Sequence, residues 1–104
     1  MNLIISNRLI KKALQSSCEF RVAAVAFDHR GDILGYAQNM PNLINRKGGH
    51  HAEMRLMKRY GRRIASVILC RVSPSGELRP IHPCRMCARK IAELGIQVST
   101  LCPS

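Results

Sequence analysis

Apolar residues fall in short blocks along the chain, and the spacing within a block changes from one to the next. From Asn2 to about Ser16, Leu3, Ile10, Ala13 and Leu14 recur near a helical period, with Arg8, Lys11 and Lys12 on the other side. That pattern predicts an amphipathic helix covering one face of a sheet, with Asn2 or Ser6 as its cap. Arg21 to Phe27 is a near-continuous apolar run, as in a buried strand. Asp28-His29-Arg30-Gly31-Asp32 reads as a turn, with Gly31 free to take positive φ, and Ile33 to Ala37 as the returning strand of a hairpin. His29 is expected to be exposed in that turn rather than a metal ligand. Gln38 to Gly49 is a polar loop, longer than a simple connection requires, and loops of that kind tend to serve function.

His50 to Tyr60 returns to a helical period. Ala52, Leu56 and Tyr60, with Met57 beside them, form its buried stripe, and Arg55, Lys58, Arg59, Arg62 and Arg63 cover the outside. Ser66 to Val72 is apolar and β-branched, the mark of a central strand. After the Ser73–Glu77 turn, Leu78 to His82 leads as a small flap into Pro83. Cys84 to Leu94 is the next helix, with Ala88, Ile91 and Ala92 inward. Gly95 suits the left-handed position that ends a helix, with Ile96 packing back on Ile91. Ile96 to Leu101 is a last strand, parallel to Ser66–Val72 by a right-handed crossover. The order helix, hairpin, helix, strand, helix, strand predicts one α/β domain over residues 1–104. It has three layers, α/β/α, a mixed sheet of four strands, and the His50 and Cys84 helices on one face.

Composition adds little to this until charge is considered. Hydrophobic residues make up 46% of 104, ordinary for a globular chain. Met1 to Ile5 is far too short an apolar run for a signal peptide or a membrane span, so a cytoplasmic protein without a membrane partner is expected. Seventeen Lys and Arg against six Asp and Glu give +11. That balance points to an anionic partner, either nucleotide phosphates or nucleic acid, unless the charge is simply solvated. Of five cysteines, Cys18, Cys70 and Cys102 are odd in number and irregularly spaced, and read as small hydrophobes in a reducing compartment.

The remaining chemistry is concentrated in His51-Ala52-Glu53 and Pro83-Cys84-Arg85-Met86-Cys87, an H-x-E … P-C-x-x-C pattern. One His and two Cys make three zinc ligands. A catalytic zinc keeps three protein ligands and leaves its fourth position to water, whereas a structural zinc is closed by four. That water's pKa falls toward roughly 7, so hydroxide exists at neutral pH. In a regular helix Glu53 would project about 200° from His51. It is then poorly placed to share the metal, but a first-turn carboxylate can reach over the open face as a proton shuttle. Pro83 suits a helix start, and the helix N-terminus favours the thiolate form of Cys84 and Cys87. Two plainer readings compete. Cys84 and Cys87 could be a redox pair, or could close a structural zinc with His50 and His51. Neither explains Glu53 or Pro83.

The motif resembles the zinc-dependent cytidine/deoxycytidylate deaminase superfamily, which includes tRNA adenosine deaminases and nucleic-acid-editing cytosine deaminases. Gly35-Tyr36-Ala37-Gln38-Asn39-Met40-Pro41 resembles the G-x-x-x-N-x-P that precedes H-A-E in the deoxycytidylate and tRNA-type members. Cys87 to Ile96 resembles the family's C-x₃-I-x₃-G-I helix exit. The match runs from about Phe20 to about Leu101. It implies one catalytic zinc on His51, Cys84 and Cys87, with Glu53 catalytic and Asn39 on the substrate sugar. Ala52 and Pro83 beside the ligands, Arg46 and Lys47 in the loop, and His82 are further candidate substrate contacts. His82 departs from the Glu or Ser of many members. The family usually adds a helix and a strand after the last strand seen here, so a homo-oligomer covering that region is expected.

The implied reaction is hydrolytic deamination of cytosine in a (deoxy)cytidine nucleoside or nucleotide. The alternative substrate is cytosine or adenine in single-stranded DNA or RNA. Charge favours the polymer. The shortage of aromatic residues, two Phe, two Tyr and no Trp, favours the monomer, because single-strand binders lean on stacking. The rival outside enzymology is a non-catalytic, zinc-stabilised nucleic-acid-binding module.

Overall fold

A computed structural model describes residues 3–18, 20–40 and 51–101. In chain order the elements are α1 (Leu3–Leu14), β1 (Arg21–Phe27), β2 (Ile33–Gln38), α2 (Ala52–Tyr60), β3 (Ser66–Val72), β4 (Leu78–Arg79), α3 (Arg85–Leu94) and β5 (Gln97–Thr100), with a 3-10 turn at Gly61–Arg63 after α2. β1 lies antiparallel between β2 and β3. The outer edge of β3 is shared. Its first four residues pair in parallel with β5, and Arg71 and Val72 pair with β4. β4 is a fifth strand, only two residues long, in the segment expected as a flap.

The pairing partners place the ends of the strands. Arg21 opposes Val72, and Ala23 opposes Gln38. The amino end of β1 therefore lies beside the carboxyl ends of β2 and β3, and of β5, which runs with β3. β2 leads directly to Asn39 at that end, and Arg55 of α2 donates to Gln38 O there.

Two cores flank the sheet. Ala23, Val25, Cys70 and Val72 pack on Leu9 and Ala13 of α1. Alternate residues of the same strands, Val22, Ala24, Val67 and Leu69 among them, pack on Ala52, Leu56 and Met57 of α2 and Cys87 and Ile91 of α3. The three-layer α/β/α arrangement follows. The five middle residues of β1 are all buried because both faces are covered.

Two helical faces differ in detail from the sequence expectation. In α1 the anchor is Leu9 with Ala13, whereas Leu3 is 73% exposed. Leu9 and Ala13 stand one turn apart on the sheet side, a direction Leu3 does not share. In α3 the inward residues are Cys87, Ile91 and Leu94, while Ala88 and Ala92 are exposed. Cys87 must face the other ligands, and that sets the rotation of the helix. α2 and α3 also start one or more residues later than expected, at Ala52 and Arg85.

Gly95 ends α3 at φ 68°, with the Ile96 amide donating to Ile91 O at 3.0 Å. This is the expected left-handed termination, and Ile96 and Ile91 lie in one core cluster. At the end of α1, Arg21 donates through Nη1 to Leu14 O and Ser16 O, satisfying carbonyls left open by the last turn. Among the described residues no helix is long and apolar enough to cross a membrane.

Candidate metal centre

His51 and Cys84 occupy matching positions. Each is the extended residue immediately before a helix, His51 at φ −70°, ψ 145° and Cys84 at φ −67°, ψ 165°. Neither is helical, so the expectation that His51 lies within its helix is corrected. The correction matters for Glu53. The 200° divergence assumed a helical His51; an extended residue before the first turn is free of it. The His51 ring and the Glu53 carboxylate in fact face the same region, with Nδ1 to Oε1 at 3.9 Å.

The Cys84 sulfur accepts the Cys87 amide at 3.4 Å, serving as side-chain cap to α3. Sulfur in that position is aimed at unpaired N–H groups and the positive end of the helix, which favour negative charge. Cys87, three residues on, turns inward and is 1% exposed. Its Sγ lies 3.4 Å from His51 Nδ1. The three donor atoms of His51, Cys84 and Cys87 all lie within 4.8 Å of one another.

The donor set fits zinc. Bonds of about 2.0–2.3 Å in a tetrahedron require donors about 3.5–3.8 Å apart. The observed spacing brackets that value, and one imidazole with two thiolates is a soft set suited to the ion. Three ligands also leave a tetrahedron one corner short. Glu53 stands beside this group with its side chain 4% exposed. Burial pushes the Cys87 thiol well above its ordinary range; the hydrogen bond to Cys84 and the neighbouring Glu53 charge push the same way. A cation held by the three donors would favour the ionised form of that thiol.

Ala52 is fully buried at the first position of α2, Pro83 is half-buried, and His82 is exposed. Arg46 and Lys47 lie outside the described residues. Asn39 follows β2 directly, and its side chain is engaged with the protein. Oδ1 accepts the Val22 amide at 3.0 Å and the Ser16 hydroxyl at 2.7 Å, and Nδ2 donates to Phe20 O at 2.6 Å. With the Asn39 amide donating to Val22 O at 2.9 Å, the residue extends the β1–β2 ladder by one step. The Val22 donor fixes which end of the carboxamide is oxygen, and among the described residues one Nδ2–H has no acceptor. His29 is exposed, with Nε2 3.2 Å from Arg62 O.

Two residues with no sequence signal support this end of the sheet. Ser16 is 2% exposed, and its oxygen also accepts the Cys18 amide at 3.1 Å. Arg55 donates from α2 to Gln38 O at 2.7 Å, tying the helix that begins after His51 to the end of β2.

Comparison with known proteins agrees with this geometry. The family model for the cytidine and deoxycytidylate deaminase zinc-binding region matches residues 4–102. Among solved structures, the cytidine deaminase of Mycobacterium leprae superposes with TM-score 0.67 at 16% identity, over 99% of this chain and 90% of that one. That of Burkholderia pseudomallei gives 0.64 at 19%, over 97% and 87%. That of Mycobacterium tuberculosis gives 0.56 at 21%, over 90% and 83%. At these identities the likeness is one of fold. Among curated protein sequences none matches.

Proposed function

Because the chain belongs to the cytidine and deoxycytidylate deaminase family, we propose that it deaminates cytosine in a (deoxy)cytidine nucleoside or nucleotide. The observation that carries the reading is Glu53, a buried carboxylate 3.9 Å from the nitrogen of one ligand and belonging to no part of the ligand set. A purely structural zinc has no use for such a group, and burying it without a task is costly.

His51, Cys84 and Cys87 would hold the zinc, which when bound would supply Lewis acidity to the attacking water. Glu53 takes a proton from the attacking water as it adds to the carbon bearing the amine. It gives that proton to the ring nitrogen, then takes the second proton from the added hydroxyl and gives it to the departing nitrogen. The carbon–nitrogen bond breaks, the ring keeps a carbonyl oxygen, and ammonia leaves. Backbone N–H groups at the start of α3 stabilise developing negative charge. Asn39 offers its remaining N–H to a sugar oxygen from its fixed place at the end of β2.

The test is ammonia release by zinc-loaded protein from cytidine, deoxycytidine, dCMP, a cytosine-bearing single strand and a transfer RNA. Turnover of the monomers, abolished in Glu53→Gln, supports the proposal. Turnover of polymers alone supports the second reading, cytosine or adenine presented within a single strand. That reading is favoured by the placement of the basic residues. No turnover by zinc-loaded protein favours the non-catalytic module.

A further inference from the structure

The positive charge is concentrated on one layer. The outer side of α2 and the turn after it presents Lys58, Arg59, Arg62 and Arg63, all exposed; that of α3 presents Arg85, Arg89 and Lys90, also exposed. Between the helices runs an open groove of about 300 Å³, lined by Met54, Arg85, Met86, Arg89, Lys90 and Glu93. Met86 is 74% exposed there. Glu93, the only acidic residue of the lining, is paired with Lys90 at 3.7 Å. Arg85 and Met86 lie between the two cysteine ligands in sequence, and Met54 comes directly after Glu53.

We propose that this outer face of the α2–α3 layer docks single-stranded nucleic acid, an unpaired base entering the groove and the surrounding cations meeting the phosphates. The proposal deepens the second reading of the site's function; docking itself does not depend on that reading, and only deamination of the docked strand does.

Charge complementarity selects the occupant. A second copy of this chain in a two-fold contact would bring like charges together across the groove. A membrane surface requires a broad apolar face, whereas Met54 and Met86 are the apolar side chains of the lining. A polyanion meets the cations directly. The groove adds discrimination, because an apolar floor of two methionines flanked by guanidinium planes accepts the face of an unstacked base. Duplexes keep their bases stacked and do not offer one. Arginine stacking thus stands in for the aromatic platforms the chain lacks.

The experiment measures binding, not turnover, by fluorescence anisotropy with zinc-loaded full chain and a labelled thymine-only strand of about 15 nucleotides, a length covering a typical site. Thymine carries no amine to lose, so the result is independent of whether the protein deaminates. For single strands, log K falls with log salt by about 0.7 per phosphate neutralised, so four to five contacts give a slope of about −3. Arg85→Gln with Arg89→Gln should reduce the slope by about 1.4 and weaken binding roughly 25-fold at about 0.1 M salt. Lys58→Gln with Arg62→Gln provides a second pair away from the zinc ligands, should the first disturb zinc content. Arg8→Gln with Lys11→Gln removes the same charge from exposed positions of α1 on the opposite face and should leave binding within threefold. The proposal is overturned if the α1 pair weakens binding as much as the groove pairs. It is also overturned if a duplex of equal length binds as tightly, if polyglutamate of equal charge competes as well, or if no saturable binding occurs at low salt.

Discussion

Replacing Glu53 by Gln isolates proton transfer from metal binding. The amide matches the carboxylate in shape, so the buried pocket that leaves the side chain 4% exposed is still filled. It cannot accept a proton, and it removes one negative charge from beside Cys87, where that charge pushes the thiol up. The ligand set His51, Cys84 and Cys87 is untouched, so zinc content should remain at wild-type level. A positioned general acid–base contributes about 10²- to 10⁴-fold. Glu53 serves both the water and the leaving nitrogen, so the fall in kcat should lie at the upper end, near 10⁴-fold. At 1.36 kcal/mol per decade this is about 5 kcal/mol of lost transition-state stabilisation. KM should change little, because the residue holds no group of the substrate in the ground state. Continuous ammonia release with cytidine gives both constants, and metal analysis of the same sample gives the zinc. If the variant retains turnover within threefold of wild type, or loses its zinc with the fold, Glu53 is not the proton shuttle.

Removing zinc with a chelator should abolish turnover and lower the melting temperature, because the ion ties the start of α2 to the start of α3; unchanged melting would show that the two ends pack without it. Ser16→Ala leaves the Cys18 amide and one Asn39 lone pair without their partner in a buried site, and should cost about 1–3 kcal/mol in urea unfolding. In Gly35→Ala the new Cβ would stand 2.5 Å from the Tyr60 hydroxyl and 3.2 Å from its ring. The Tyr60 ring must give way, at about 1–3 kcal/mol by the same assay. Burial raises the Cys70 thiol to about 11, so it should resist alkylation at pH 8 in native protein. Its folded pKa lies above the unfolded value of 9.0, so its contribution to stability is present below that pH and declines as pH rises toward 11.

The ligands, the proton shuttle and the layer order are legible in the sequence because each rests on residue type at fixed spacing. His51 with Glu53, Cys84 with Cys87, and the apolar runs and near-helical blocks along the chain need no tertiary information. The hidden features depend on contacts between distant segments. Ser16 meets Asn39 across 23 residues, and no local rule separates that serine from Ser17 beside it. The inward face of α3 escapes the sequence for the same reason: Ala88 and Ala92 are apolar, but the helix is rotated by the demand that Cys87 face His51, 36 residues away. The starts of the two helices escape it by a related cause. A ligand in extended backbone just before a helix can aim along the helix axis, which a residue inside the helix cannot do. His51 and Cys84 both take that position, so the amino ends of α2 and α3 converge on one point. The site is thus assembled from two helix starts, each supplying a ligand from the extended residue before its first turn.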